Sequence, residues 1–178
     1  ETLAAASGIL INGADKFSSI GNKKSAGTKL VCLDSFFKNP GVYEIDMGTP
    51  MKKVFNEIGG GYKEEIKAFQ IGGPLGGVVP LAEIDNLNLD FQEFTAKGFM
   101  LGHASVVSIP KDFPMTEYIH HLFEFSAEES CGKCFPGRLG SYRGKEMFDQ
   151  AKKKTAKIPL KLLNELLITM QKGCLCAL

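Results

Sequence analysis

The sequence predicts an α+β protein, in which a small domain built on a mixed sheet precedes an all-α helical bundle. Between residues 28 and 110, short apolar or alternating stretches are separated by glycine and proline turns, which is typical of strands. After Pro110, apolar residues recur at the three- and four-residue spacing of amphipathic helices. We therefore predict a domain boundary at Pro110, with residues 28–110 before it and residues 111–178 after it.

The first domain is predicted to begin with a β-hairpin. Residues 29–33 are apolar, residues 42–46 alternate apolar and polar, and Asn39-Pro40-Gly41 between them is a turn. A short helix over 50–58 follows, and further short elements are expected at 67–71, 78–79, 89–96 and 104–109. Strands in this order around one helix are typical of a β-grasp (ubiquitin-like) fold.

The glycine-rich segment 72–77 lies between two of these short strands. It has neither the G-x-G-x-x-G spacing of a dinucleotide site nor the lysine of a P-loop. We therefore predict a tight turn rather than a nucleotide site.

The second domain is predicted to hold three helices, over residues 115–128, 138–153 and 159–170. The third has a broad apolar face formed by Leu160, Leu162, Leu163, Leu166, Leu167 and Met170. His120 and His121 lie in the first helix, where adjacent residues point to different faces. We expect both histidines in solvent or at the edge of the core.

Composition excludes some classes of function. The net charge is +1 and 23% of the residues are charged, so nothing favours nucleic acid or an anionic membrane as a partner. No apolar run approaches the roughly 20 residues of a membrane span, so no direct membrane insertion is expected.

The five cysteines predict a metal centre. Cys131 and Cys134 form a Cys-x-x-Cys pair between two predicted helices, and Cys174 and Cys176 form a Cys-x-Cys pair near the C-terminus. Clustered thiolates in a reducing compartment select zinc or iron–sulfur clusters, whereas a secreted disulfide scaffold would spread its cysteines. Cys32 stands alone in the first predicted strand and is expected to be buried as a small hydrophobic residue.

The spacing of the four cysteines favours an iron–sulfur cluster but leaves other interpretations open. A thioredoxin-type site would lie between a strand and a helix. Structural zinc usually takes a second Cys-x₂-Cys or histidine pair, which Cys174 and Cys176 match poorly. A [4Fe–4S] cluster takes four thiolates. Zinc, or no metal at all, remains an alternative.

Residues 129–138, Glu-Ser-Cys-Gly-Lys-Cys-Phe-Pro-Gly-Arg, resemble the E-S-C-G-x-C-x-P-C-R signature of the NADH-binding flavoprotein subunit of respiratory complex I. Related subunits occur in NAD-linked formate dehydrogenases and NAD-reducing hydrogenases. Residues 1–4 are similar to the end of the family's N-V-E-T-L-A segment, and residues 173–178 to its terminal C-A-L-G segment. The softer matches to its soluble-ligand-binding β-grasp (SLBB) domain are 27–30, 40–44 and 72–74.

The resemblance implies an electron-transfer fragment of such a subunit. In the family, an N-terminal domain binds FMN and NADH, and electrons pass from FMN to a [4Fe–4S] cluster in the helical domain. Residues 1–27 would be a linker from that missing domain, so the fragment would not be catalytic by itself. Cys131, Cys134 and Cys176 would be cluster ligands by this resemblance.

One departure concerns the third cysteine of the signature, because Gly137 stands in its place. Either the cluster is incomplete, as a three-iron form or with an exogenous ligand, or Cys174 substitutes. A third alternative is that this chain holds no cluster.

The resemblance also implies partners and location. The partners would be other subunits of an NADH dehydrogenase or of an NAD-linked formate dehydrogenase or hydrogenase complex. The protein would be cytoplasmic, or peripheral on the cytoplasmic side of the inner membrane through those subunits. The alternative function is a non-catalytic docking or structural module, with a structural metal or no cluster.

Overall fold

A five-stranded mixed sheet organises the N-terminal part of the chain. The computed structural model describes residues 1–74, 76–154, 157–176 and 178, and these divide into two units, Glu1–Lys111 and Asp112–Leu178. The strands are β1 (Thr28–Leu33), β2 (Gly41–Asp46), β3 (Ile66–Ile71), β4 (Gly77–Pro80) and β5 (Ser105–Pro110). Their spatial order is β2-β1-β5-β3-β4, with β1 and β5 parallel and the other pairs antiparallel. The predicted mixture of strands and helices is confirmed.

The first unit also contains several short helices. They are α1 (Thr2–Asn12), α2 (Ala14–Ser18), α3 (Met51–Lys53), α4 (Leu81–Ile84) and α5 (Phe91–Ala96). The helix predicted over 50–58 begins as α3 and continues as a π-helical turn, Val54–Ile58. Such wide turns are rare in helices, and no sequence pattern indicated this one.

Aromatic rings fill the core between this helix and the sheet. The ring centroids of Phe37 and Phe55 are 5.1 Å apart, and those of Phe55 and Phe69 are 4.8 Å apart. All three side chains are fully buried. Edge-on and tilted contacts of this kind add stability beyond the burial of area, so this cluster anchors the helix on the sheet.

The prediction that Cys32 is buried was wrong. In β1 the side chains of Val31 and Leu33 point into the core, while Cys32 between them is exposed. Successive side chains of a strand point to opposite faces, and only one face of β1 is covered at this position.

Glu1 joins the N-terminal segment to β1. Its carboxylate accepts a hydrogen bond from the backbone N–H of Leu30 at 2.7 Å and pairs with the ammonium of Lys29. In α1, which follows Glu1, no residue is buried, and Leu3, Leu10 and Ile11 are more than four-fifths exposed. The segment that we predicted as a linker therefore begins with two helices in the first unit.

Asp90 is a buried polar centre of the first unit. Its carboxylate caps α5 by accepting from the backbone N–H groups of Gln92 at 2.8 Å and Glu93 at 3.0 Å. The amide of Asn22 donates to its other oxygen at 2.8 Å, which ties the segment after α2 to α5. Burial opposes ionisation of Asp90, but these hydrogen bonds outweigh it and hold the carboxyl pKa below its ordinary value.

The residues of the second unit that the structure describes form three helices, α6 (Met115–Glu129), α7 (Phe135–Lys152) and α8 (Leu160–Gly173). Phe123 of α6 stacks on Phe148 of α7 with ring centroids 5.7 Å apart. Within this packing, His120 Nε2 lies 2.7 Å from an Asp149 carboxylate oxygen, so the buried histidine is bonded across α6 and α7. The helix predicted over 138–153 begins three residues earlier, at Phe135.

Only half of the apolar face predicted for α8 is covered. Leu163, Leu166 and Met170, spaced by three and four residues, pack on the core of the second unit. Leu160, Leu162 and Leu167 are exposed. Within the described ranges, none of the helices has the length and apolar character that a bilayer crossing requires.

Glycines allow α7 to approach both neighbouring helices. A Cβ built at Gly144 would lie 2.1 Å from the Phe123 ring of α6, and one at Gly140 would lie 2.7 Å from Met170 Cγ of α8. Both distances are shorter than van der Waals contact. The missing side chains thus set the separation of the three helices.

We expect Asp90→Ala to lower the free energy of unfolding of the first unit by about 1–2 kcal/mol at pH 7, because an N-cap is lost and Asn22 loses its partner. Since the folded pKa is depressed, this stability is present above the unfolded pKa and is lost as pH falls through the folded pKa, below about pH 4. Denaturant titrations at several pH values measure both effects. A constant difference down to strongly acidic pH would contradict this assignment.

We expect Gly144→Ala to destabilise the helical unit by about 1–3 kcal/mol, because the added methyl overlaps the Phe123 ring and forces the helices apart. The matched control is Gly8→Ala in α1, where an added Cβ meets nothing within 4 Å. Thermal unfolding followed by circular dichroism compares the two variants. Equal stability of wild type and Gly144→Ala would show that α6 and α7 are not held at this distance.

Candidate metal centre

Four cysteines of the helical unit line one cavity. Cys131 and Cys134 lie in the loop between α6 and α7, and Cys174 and Cys176 follow the end of α8. These side chains and Gly137 line a space of about 20 Å³. A volume of this size holds about one water molecule.

The two segments meet because the start of α7 lies against the end of α8. A Cβ built at Gly173 would be 3.0 Å from Pro136 Cγ, and the Gly140–Met170 approach described above lies about one turn further along α7. The hydroxyl of Ser141, which is buried, donates to the carbonyl of Gly137 at 2.6 Å. Small residues on α7 therefore bring the Cys-x-x-Cys loop to the Cys-x-Cys segment.

Arg138 fixes the Cys-x-x-Cys loop. Its guanidinium donates to the carbonyl oxygen of Gly132 at 3.0 Å and lies over the Phe135 ring, 5.6 Å from the centroid. Gly132 has a φ of +72°, in the left-handed region that favours glycine. The loop is thus held in one conformation, with a positive charge beside it.

The environments of Cys134 and Cys174 shift the pKa values of their thiols in opposite directions. The backbone N–H groups of Leu175 and Gly137, together with the Cys174 thiol, lower the pKa of Cys134 from the ordinary value, although desolvation opposes them. For Cys174 the shift is opposite. Desolvation, then the hydrogen bond to Cys134 and the negative charges of Cys134 and Cys176, raise its pKa. Of these two thiols, Cys134 thus accommodates a negative charge more readily than Cys174.

Gly137 lies at the edge of the same cavity. A Cβ built there would be 2.9 Å from Cys134 Sγ and 3.6 Å from Cys174 Sγ. A side chain at position 137 would therefore extend towards the two half-buried thiols.

The donor set suits a thiolate-bound centre in type and number. Among the described residues, no three His, Cys, Asp or Glu side chains converge closely enough to hold a single metal ion as they stand. A four-iron cluster is larger than one water, so the thiols would have to separate to hold it. Cys131 and Cys176 are exposed, and core packing does not oppose their movement.

The histidines do not contribute to the cavity. His120 is buried and bonded to Asp149, whereas we had expected it in solvent or at the edge of the core. His121 is exposed, as expected. The sequence analysis missed the small residues that shape the site, Gly140, Gly144 and Ser141. Their spacing of three and four residues on α7 was the available signal.

The C-terminal part of the chain is similar to a known family. Residues 117–178 match the family described as the NADH-ubiquinone oxidoreductase-F iron-sulfur binding region. The NADP-reducing hydrogenase subunit HndC of Solidesulfovibrio fructosivorans is 35% identical over 181 residues, which covers 100% of this chain and 37% of HndC. The F 2 subunit of the NADH-quinone oxidoreductase of Rhizobium meliloti (strain 1021) is 39% identical over 142 residues, covering 79% of this chain and 34% of that protein.

A solved structure resembles the whole fold. The crystal structure of an NAD⁺-reducing [NiFe]-hydrogenase in the H₂-reduced state matches 99% of this chain and 30% of its own chain, with a TM-score of 0.86 and 26% identity. The chain thus spans about a third of the length of these relatives. The chain is thus a relative of the NADH-quinone oxidoreductase F subunits and of the related NAD(P)-reducing hydrogenase subunits, and residues 117–178 match their iron–sulfur binding region.

Proposed function

We propose that the chain is an electron-transfer part of an NADH dehydrogenase-type flavoprotein subunit, in which the second unit holds a [4Fe–4S] cluster. The observation that carries this proposal is the cavity at the junction of α7 and α8, lined by four thiols from two segments. Cys131, Cys134 and Cys176 are the proposed ligands at positions that match the family signature. Cys174 is the remaining thiol of the cavity.

When bound, such a cluster supplies a one-electron carrier whose potential depends on net charge and on hydrogen bonds to sulfur. The backbone N–H groups that donate to Cys134 stabilise negative charge at the cavity. Arg138 adds a cation at the loop, where it holds the Gly132 carbonyl. These groups favour an anionic centre and orient the loop that carries two of its ligands.

We further propose a division of tasks in the parent protein. The first unit would be a β-grasp domain of the SLBB type, and the second a helical cluster-binding bundle. FMN and NADH would be bound by another domain, since these 178 residues contain no glycine-rich flavin loop. Electrons would then reach the cluster from FMN, and the part described here would not be catalytic alone.

Exposed apolar side chains support contact with partner subunits. Phe135, Leu139 and Tyr142 recur every three or four residues on α7 and are about half to two-thirds exposed, directly after Cys134. We propose that another protein of the same oxidoreductase or hydrogenase complex covers this stripe. The protein would then lie in the cytoplasm, or at the inner membrane through such partners.

The same stripe favours a second candidate function, a docking module with a structural metal or none. Anaerobic reconstitution with iron and sulfide separates the two. An electron-transfer centre gives brown protein with broad visible absorption and an EPR signal that changes on reduction, because iron–thiolate clusters exchange single electrons. Cys32→Ser, outside the cavity, is the control and should behave as wild type. Colourless protein containing stoichiometric zinc would contradict the electron-transfer proposal.

A further inference from the structure

The thiol of Cys174 lies close to the position where residue 137 lacks a side chain. Gly137 stands where the family signature has its third cysteine, and a Cβ added there would point towards Cys174 Sγ, 3.6 Å away. From this geometry we infer that Cys174 supplies the fourth thiolate, in place of the missing residue 137 side chain. The inference rests on the proposed cluster and specifies how this chain completes its ligand set.

The backbone after α8 permits this role. The N–H of Cys174 makes the last bond of the helix, to the carbonyl of Met170 at 3.0 Å, so its Cα is fixed on α8. Its φ and ψ of −76° and 148° are extended, so the helix ends there, and the chain bends at Leu175 and Cys176. After this bend, Cys174 and Cys176 line the same cavity, and both can therefore serve one centre.

Two other polar side chains that line the cavity are already engaged. The Ser141 hydroxyl donates to the Gly137 carbonyl, and the Ser130 hydroxyl accepts from the Gly132 N–H at 3.3 Å. Cys174 Sγ, by contrast, lies beside the Sγ of Cys134, a proposed ligand, since a Cβ at position 137 would be within 4 Å of both sulfurs. The Cys174 sulfur is a soft donor like that of Cys134, as iron in a cluster requires.

The inference makes the two positions interchangeable. A cysteine at 137 should replace Cys174, because its side chain would enter the same part of the cavity. Gly137 lies within α7 with ordinary helical geometry, so a side chain costs no left-handed strain there. The Cβ would lie 2.9 Å from Cys134 Sγ, and that sulfur is at the movable end of a half-buried side chain.

The test compares wild type with Cys174→Ser, with Cys174→Ser/Gly137→Cys and with Cys32→Ser, each reconstituted anaerobically. Iron and sulfide per chain and the EPR spectrum are measured, with circular dichroism to verify folding. Cys174→Ser should lose about one iron in four and give the signal of an oxidised three-iron cluster, since one iron lacks a thiolate. The double variant should regain the fourth iron, and Cys32→Ser should match wild type.

Each outcome decides one question. If Cys174→Ser keeps the iron content and spectrum of wild type, an exogenous ligand completes the cluster and the inference fails, while the proposed function stands. If wild type takes up no iron–sulfur cluster, the proposed function fails and the ligand assignment with it. If Cys174→Ser does not fold but the folded double variant carries a four-iron cluster, interchange of positions 137 and 174 is supported. A folded double variant restricted to three irons overturns it.

Discussion

The close approach of α7 to its two neighbours is the contact on which the site depends. Gly144 admits the Phe123 ring of α6, and Gly140 admits Met170 of α8. At the start of α7, Pro136 lies against Gly173, the last residue of α8. Cysteines separated by about forty residues therefore line one cavity. A larger residue at these glycines would separate the segments before it altered any thiol, so packing precedes the chemistry of the centre.

Backbone N–H groups favour negative charge at Cys134 in this cavity. Two backbone N–H groups donate to Cys134, one from the first turn of α7 and one from the segment after α8. Both are free to do so because helix starts and irregular segments leave N–H groups without helical partners. The same helix packing thus supplies the thiols and the donors that stabilise their ionised form. Arg138 adds charge and holds the loop rather than a thiol.

The sequence predicted the elements well where turn residues and apolar spacing agreed. The strands and the three long helices lie within a few residues of their predicted positions. The exposure of Cys32 and of Leu160 depends on which face a neighbour covers, and periodicity alone does not contain that information. Because clustered thiolates bind soft metals, the sequence was enough to group Cys131 and Cys134 with Cys174 and Cys176 in one metal site. That Cys174 lies beside residue 137 could not be predicted from the sequence, because it depends on how closely the helices pack. Three glycines set that distance through contacts between residues far apart in the sequence.

Moving a ligand from α7 to the segment after α8 would preserve the charge of the centre. A cluster with four thiolates carries one more negative charge than a cluster with three and a neutral ligand, and net charge is among the main determinants of its potential. Supplying the fourth thiolate from Cys174 instead of from position 137 changes which segment carries it, but the number of thiolates and the charge of the cluster stay the same. The two ligands Cys174 and Cys176 would then both lie in the short segment after α8, which is less firmly anchored than a helix. The Cys134 contacts with Cys174 and with the Leu175 N–H hold that segment to α7, and would offset this weaker anchoring.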